Sequence, residues 1–131
     1  MKKLLSVLLF LLLCSIGACN KGYVPLSGKI TFPDGKPLTK GTVVFSTSSF
    51  QARGAIKEDG TYVLGSLSES DGLPPGQYNV RIDGAVEPTG KVLPGPGSIQ
   101  EMRPLIKSGF SMTCDVKKET KTFDIPVAYP E

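Results

Sequence analysis

Few side chains in this sequence can do covalent or acid–base chemistry, and their types narrow the field before any fold is considered. There is no histidine among the 131 residues. That removes the commonest general base and the commonest metal ligand together, and it makes a Ser/His/Asp arrangement impossible. Cysteines stand at positions 14, 19 and 114. Paired carboxylates occur at Glu58-Asp59 and at Glu69 and Asp71, each in a turn-like stretch. Acid–base work would need two carboxyls held in different environments, and calcium would need several converging oxygen donors. Neither spacing matches such a site, so these charges are read as solvated turn residues. Phe50, in Ser48-Ser49-Phe50-Gln51, offers either an aromatic for sugar stacking or a cap on a core, and the cap is preferred. No catalytic residue, metal site or cofactor is expected.

The elements around Cys19 are more informative. Lys2 and Lys3 precede a nearly unbroken apolar run over residues 4–13, and Ser15, Gly17 and Ala18 close the segment. A positive head, an apolar run and a small-residue cleavage site make a secretory signal peptide. Even carried to Ile16, the run is shorter than the ~20 residues of a bilayer-spanning helix.

Ile16-Gly17-Ala18-Cys19 resembles the bacterial lipobox. The resemblance implies cleavage before Cys19 and acylation of its sulfur. Cys14 fits poorly, because Leu11-Leu12-Leu13 puts bulk where small residues belong. One acyl chain binds a membrane marginally and two or more bind it stably, so the expected first partner is membrane lipid, through acylated Cys19. The expected organisation is a signal peptide at 1–18, a lipidated tether at 19–22 and one domain at 23–131.

Removing residues 1–18 leaves 113 residues, the size of one domain. Lys+Arg then falls from 15 to 13 against 12 Asp+Glu, a formal charge of +1. No basic patch invites nucleic acid. Cys114 becomes the remaining free thiol, so no disulfide supports the core.

From Tyr23 onward the chain reads as short strands broken by Gly, Pro and Asp. Val24, Leu26, Gly28, Ile30 and Phe32 alternate with polar residues, the period of a half-buried strand. Asp34-Gly35 is a turn, and 42–47 is a second strand. Residues 52–56 and 61–67 flank Glu58-Asp59-Gly60, a hairpin signal. Tyr78, Val80 and Ile82 face one way in 77–83. Phe110, Met112, Cys114 and Val116 repeat the pattern, and Phe123, Ile125 and Val127 end the series. Pro126 suits an edge strand. Seven short strands result, without helical periodicity, which predicts an all-β, antiparallel seven-stranded sandwich. Residues 85–107 break the rhythm as a long Pro/Gly-rich loop, the kind that usually carries function. Lys91, Val92, Leu93 and Ile99 are its candidate binding residues, while Leu105 and Ile106 are expected to fold back onto the sandwich.

The motifs Ser27-Gly28-Lys29-Ile30, Asp34-Gly35-Lys36-Pro37-Leu38, Gly41-Thr42-Val43-Val44-Phe45, Asp59-Gly60-Thr61-Tyr62 and Pro75-Gly76-Gln77-Tyr78-Asn79-Val80, taken in order, resemble the carboxypeptidase regulatory-like domain. The likeness covers roughly residues 23–128. It implies a transthyretin-like (prealbumin-like), Greek-key sandwich, and is nearest to the small standalone lipoproteins of planctomycetes. Arg103-Pro104-Leu105-Ile106-Lys107 departs from that group's pattern. Transthyretin-like hydrolases need histidines and a carboxyl-terminal Tyr-Arg-Gly-Ser, which this chain lacks.

The sequence therefore points to a non-catalytic binding or structural module, exported and lipid-anchored at the cell envelope (the outer membrane or periplasmic face in a Gram-negative host). An envelope protein or a glycan is the expected partner. The alternative is a small calcium-dependent or hydrolytic enzyme using loop carboxylates. Replacing Cys19 with Ala should abolish metabolic labelling by an alkyne fatty acid and release the protein from the detergent phase. Unchanged label in Cys19→Ala would overturn the anchoring.

Overall fold

The computed structural model describes residues 22–66 and 71–131, so Cys19 and the segment before it, as well as Glu69 and the end of the predicted 61–67 strand, lie outside the described residues. Nine strands are present among the described residues: β1 Ser27–Thr31, β2 Thr42–Ser46, β3 Gln51–Ala55, β4 Thr61–Val63, β5 Gly76–Asp83, β6 Val86–Leu93, β7 Ile99–Pro104, β8 Met112–Val116 and β9 Ile125–Pro126. No helix among these residues is long and apolar enough to cross a membrane.

Seven of the strands form the expected sandwich. One sheet has the order β4-β1-β9 and the other β3-β2-β5-β8, while β6 and β7 form a separate two-stranded sheet. The alternation read from the sequence is the alternation that is buried. Val24, Leu26, Ile30 and Phe32 face the core, as do Tyr78 and Val80, then Cys114 and Val116, then Ile125 and Val127. No polar or charged residue is buried among the described residues. The core is therefore held by apolar packing, at roughly 1.5–3 kcal/mol for each large side chain removed from water.

Two expectations need correcting. The turn at Glu58-Asp59-Gly60 forms, with the Gly60 amide donating to the Lys57 carbonyl at 2.9 Å, but its flanks do not stay together as a simple hairpin. β3 joins β2 and β4 joins β1. Among the described residues, a bridge between Arg53 and Gly65 and the Lys57 amide donating to the Thr61 carbonyl at 2.9 Å still link the two arms, so this turn is a corner where the chain passes from one sheet to the other. The sheets are also not wholly antiparallel. β9 runs parallel to β1, pairing Ile30 with Ile125 and Thr31 with Pro126. A parallel pair needs a long crossover, and here almost the whole domain is that crossover. Pro126 does lie on an edge strand.

Aromatic rings fill the centre. Phe45 lies 6.5 Å from Tyr62, 6.2 Å from Tyr78 and 5.9 Å from Phe123, centroid to centroid. Both buried tyrosines keep their hydroxyls satisfied. Tyr62 donates to the Phe123 carbonyl, and Tyr78 donates to the Pro74 carbonyl at 2.6 Å. A Cβ on Gly28 would stand 2.0 Å from that same Phe123 oxygen, so only glycine lets β1 meet the chain entering β9.

Burial pushes the Tyr62 phenol well above its ordinary 10.0, and the neighbouring Cys114 and Asp124 push it the same way. The folded state thus holds this proton more tightly than the unfolded state does. The contribution is complete below pH 10 and is lost as pH rises through the alkaline range. Tyr62→Phe should cost about 1–2 kcal/mol at neutral pH, because the Phe123 carbonyl loses its donor. It should also flatten the fall of stability above pH 10. Urea melts of both proteins from pH 7 to 11 check this, and identical alkaline slopes would refute it.

Candidate functional site

With the core saturated and its polar groups paired, functional surface must come from what stands outside the two sheets. Residues 85–107 are that part, and they are not a loop. Lys91, Val92 and Leu93 lie in β6 and Ile99 lies in β7, strands that pair antiparallel from Val86↔Pro104 to Leu93↔Ile99. The Pro and Gly content that read as irregular is absorbed in two places. A bulge between Pro88 and Val92 takes up one set of residues, with Gly90 at φ 85°, and a turn at 94–98 takes up the other. As expected, the segment folds back at its base. Ile106 is buried and Leu105 packs against the core, and the Leu105 amide donates to the Ala85 carbonyl at 2.8 Å.

Side chains of paired antiparallel residues share a face, so the register sorts the ribbon into two surfaces. Val86, Pro88 and Val92 share one face with Pro104, Met102 and Gln100. None of these paired residues is charged, and the apolar groups among them are open to solvent: Val92 is 61% exposed and Met102 49%. Glu87 and Arg103 share the other face, where Arg103 Nε donates to Glu87 Oε1 at 2.6 Å. Thr89 Oγ1 donates to Glu101 Oε2 at 2.7 Å beside them. Leu93 and Ile99, 43% and 62% exposed, end this face at the tip.

Each face opens onto a cleft where the ribbon leaves the sandwich. Below the apolar face, a hollow of about 280 Å³ is lined by Ile82, Val86, Pro104 and Phe110 together with the charged Arg81, Asp83 and Lys107. Below the charged face lies a larger one of about 420 Å³, lined by Phe32, Leu38, Glu87, Arg103, Leu105 and Tyr129, among others. In it the rings of Phe32 and Tyr129 stack with centroids 4.1 Å apart and planes 3° from parallel. Phe32 is buried while Tyr129 is 46% exposed. The Tyr129 hydroxyl donates to Asp34 Oδ2 at 2.9 Å. The Lys36 backbone amide, then this phenol, hold the Asp34 carboxyl below its ordinary value. The same bond pushes the Tyr129 phenol up.

The chain is similar in fold to several solved structures. A DUF3823 family protein from Bacteroides ovatus is 17% identical, with a TM-score of 0.47 over 80% of this chain and 44% of that one. The Bacillus anthracis TIE protein is 12% identical, with a TM-score of 0.46 over 84% of this chain and 17% of that one. A 9R-lipoxygenase from Cyanothece is 12% identical, with a TM-score of 0.41 over 88% and 17%. The chain spans less than half the length of each of these proteins. No family model and no curated protein matches it.

The other residues singled out by type are engaged structurally. Asp59 Oδ1 accepts from the Thr61 amide at 3.0 Å and the Thr61 hydroxyl at 2.6 Å, which pins the corner. Asp71 accepts from the Ser66 amide at 2.6 Å and the Ser66 hydroxyl at 3.0 Å. Among the described residues, no three His, Cys, Asp or Glu side chains gather as metal ligands would. Phe50 is a cap, edge-on to Tyr23 at 5.9 Å and to Tyr78 at 6.2 Å. Tyr129 is the residue that sequence reasoning missed. It lies beyond the last alternating strand, and its stacking partner is far away in sequence. The local sign was a lone aromatic just after the last strand.

Cys114 is 3% exposed in the inward series of β8, and burial pushes its thiol above the ordinary 9.0, with Asp115 adding to the shift. The folded protein should therefore react with a thiol reagent at least ~100-fold more slowly than in denaturant, since the thiolate is the nucleophile and is both scarce and covered. Fast labelling of the native protein would show β8 facing the other way.

Proposed function

We propose that this chain is an exported lipoprotein, cut before Cys19 and acylated there. It presents a non-catalytic β-sandwich of the carboxypeptidase regulatory-like kind, and its β6–β7 ribbon engages a partner in the cell envelope. The single observation that carries the reading is the uncharged face of the ribbon. Val86, Val92 and Met102 are large apolar groups left in water, whereas the apolar series of the two main sheets are buried against the core. Exposed apolar patches of this kind mark contact surfaces, and an uncharged one argues for a protein partner at this face.

The direction of the ribbon supports the reading. Tyr23 contacts Phe50, at the Ser46 end of β2, where β3 begins. The ribbon leaves β5 after Asp83, which pairs with Thr42 at the opposite end of β2. The two features sit at opposite ends of β2, roughly 13 Å apart along the strand. A lipid on Cys19, joined by the tether at 20–22, would hold the Tyr23 pole to the membrane and turn the ribbon away from it. The sequence motif supplies the anchor in this reading, and the absence of histidine supplies the case against an enzyme.

A two-stranded ribbon has little stability of its own, and only its base packs on the core. The double substitution Val92→Asp/Met102→Asp should therefore move the melting temperature by no more than ~3 °C, because exposed positions contribute little to folding. The same substitutions should abolish photo-crosslinking from a probe placed at position 100 in intact cells. Crosslinks that persist in the doubly substituted protein would overturn the assignment of this face.

A further inference from the structure

We propose that the cleft beneath the charged face of the ribbon is a saccharide site, taking one or two pyranose rings stacked on Tyr129. It uses the face of the ribbon opposite to the apolar contact surface and stands whether or not that surface has a partner.

The Tyr129 ring is exposed yet fixed. It lies flat on buried Phe32, 4.1 Å away, its hydroxyl is tied to Asp34, and the backbone just before it is bonded into β1 by the Val127 amide donating to the Thr31 carbonyl at 3.0 Å. A ring held in this way loses little further freedom when a ligand stacks on it. Its π face carries negative charge density, which suits the weakly positive C–H groups on one side of a pyranose.

The polar wall of the cleft narrows the ligand further. Glu87 and Arg103 are bonded to each other at its mouth, with Thr39 among the lining residues. The pair is neutral overall, so neither a lone anion nor a lone cation gains from entering. A purely apolar ligand would strip water from both charges without replacing it, which is costly. A hydroxyl-rich neutral ligand meets both needs. Each hydroxyl donates and accepts, so neighbouring hydroxyls can give to the carboxylate and take from the guanidinium while the ion pair remains. The volume of about 420 Å³ lies toward the small end of ligand clefts, which run from about 300 to 1,000 Å³, and this favours one or two rings over a long chain.

The test is calorimetric titration of the full chain, purified in a detergent without a sugar headgroup, with glucose, N-acetylglucosamine, cellobiose, maltose and chitobiose. At least one should bind saturably in the millimolar range or tighter. Tyr129→Ala should weaken that binding about tenfold, the loss of one good aromatic contact. Glu87→Gln should weaken it comparably. Because its carboxylate is at the surface, this second variant keeps the test valid if Tyr129→Ala fails to fold. Val92→Asp on the opposite face should leave binding unchanged. The proposal is overturned if none of the five sugars binds, if binding survives both Tyr129→Ala and Glu87→Gln, or if a proline-rich peptide occupies the cleft while the sugars do not.

Discussion

The fold depends on one close approach. Gly28 in β1 lies against the Phe123 carbonyl, and the Tyr62 hydroxyl reaches across from β4 to donate to the same oxygen. Three strands of one sheet are thereby fastened at a single point, from segments far apart in the chain. Any side chain at position 28 would push the β9 segment outward. The Lys29 amide would then lose the Asp124 carboxylate it now donates to at 3.0 Å, and Ile125 would be drawn from the core. Hydrophobic burial supplies the free energy of this domain, but that contact decides which strand becomes the neighbour of β1.

Much of the sandwich was legible because alternation is local information. Val24 to Phe32, Tyr78 to Ile82 and Phe110 to Val116 each carry their facing in their own residue pattern, and all three face as read. What was not legible depends on relations between distant segments. Nothing near residue 125 reveals that β9 runs parallel to β1. Nothing near Glu58 reveals that the strands flanking this turn separate into different sheets. The ribbon was misread for a different reason. Its prolines and glycines are strong breakers, yet β6 and β7 have only each other to satisfy. A bulge and a shift of register absorb residues that a central strand would reject. The candidate residues Lys91, Val92, Leu93 and Ile99 therefore lie in two paired strands where a loop was expected. Tyr129 was not found at all, because its significance comes from Phe32 and Asp34.

The two faces of the ribbon differ because each strand alternates and the pair is in register. Charge collects on one side as Glu87, Arg103 and Glu101, with Leu93 and Ile99 at its tip, while Val86, Pro88, Val92 and Met102 stand on the other. A ribbon lying on the sandwich would bury one of these faces. This one stands out from the end of the domain, held at its base by Ala85, Leu105 and Ile106, so both faces remain available. The same economy explains how a domain with no histidine and one thiol still offers two chemically distinct surfaces.

The pairing of the first strand with the last also governs the order in which the domain can assemble. A chain that emerges amino terminus first, from a ribosome or from a membrane pore, has β1 ready long before residues 122–126 arrive. Closing a loop of that length is entropically costly, and topologies dominated by such distant pairs fold slowly. Until the final segment docks, the β9 side of β1 remains an open edge, and the carbonyl of Phe123 has not yet met Tyr62. The domain thus has a built-in delay: β1 cannot be sealed until the segment carrying β9 has been made or has passed through.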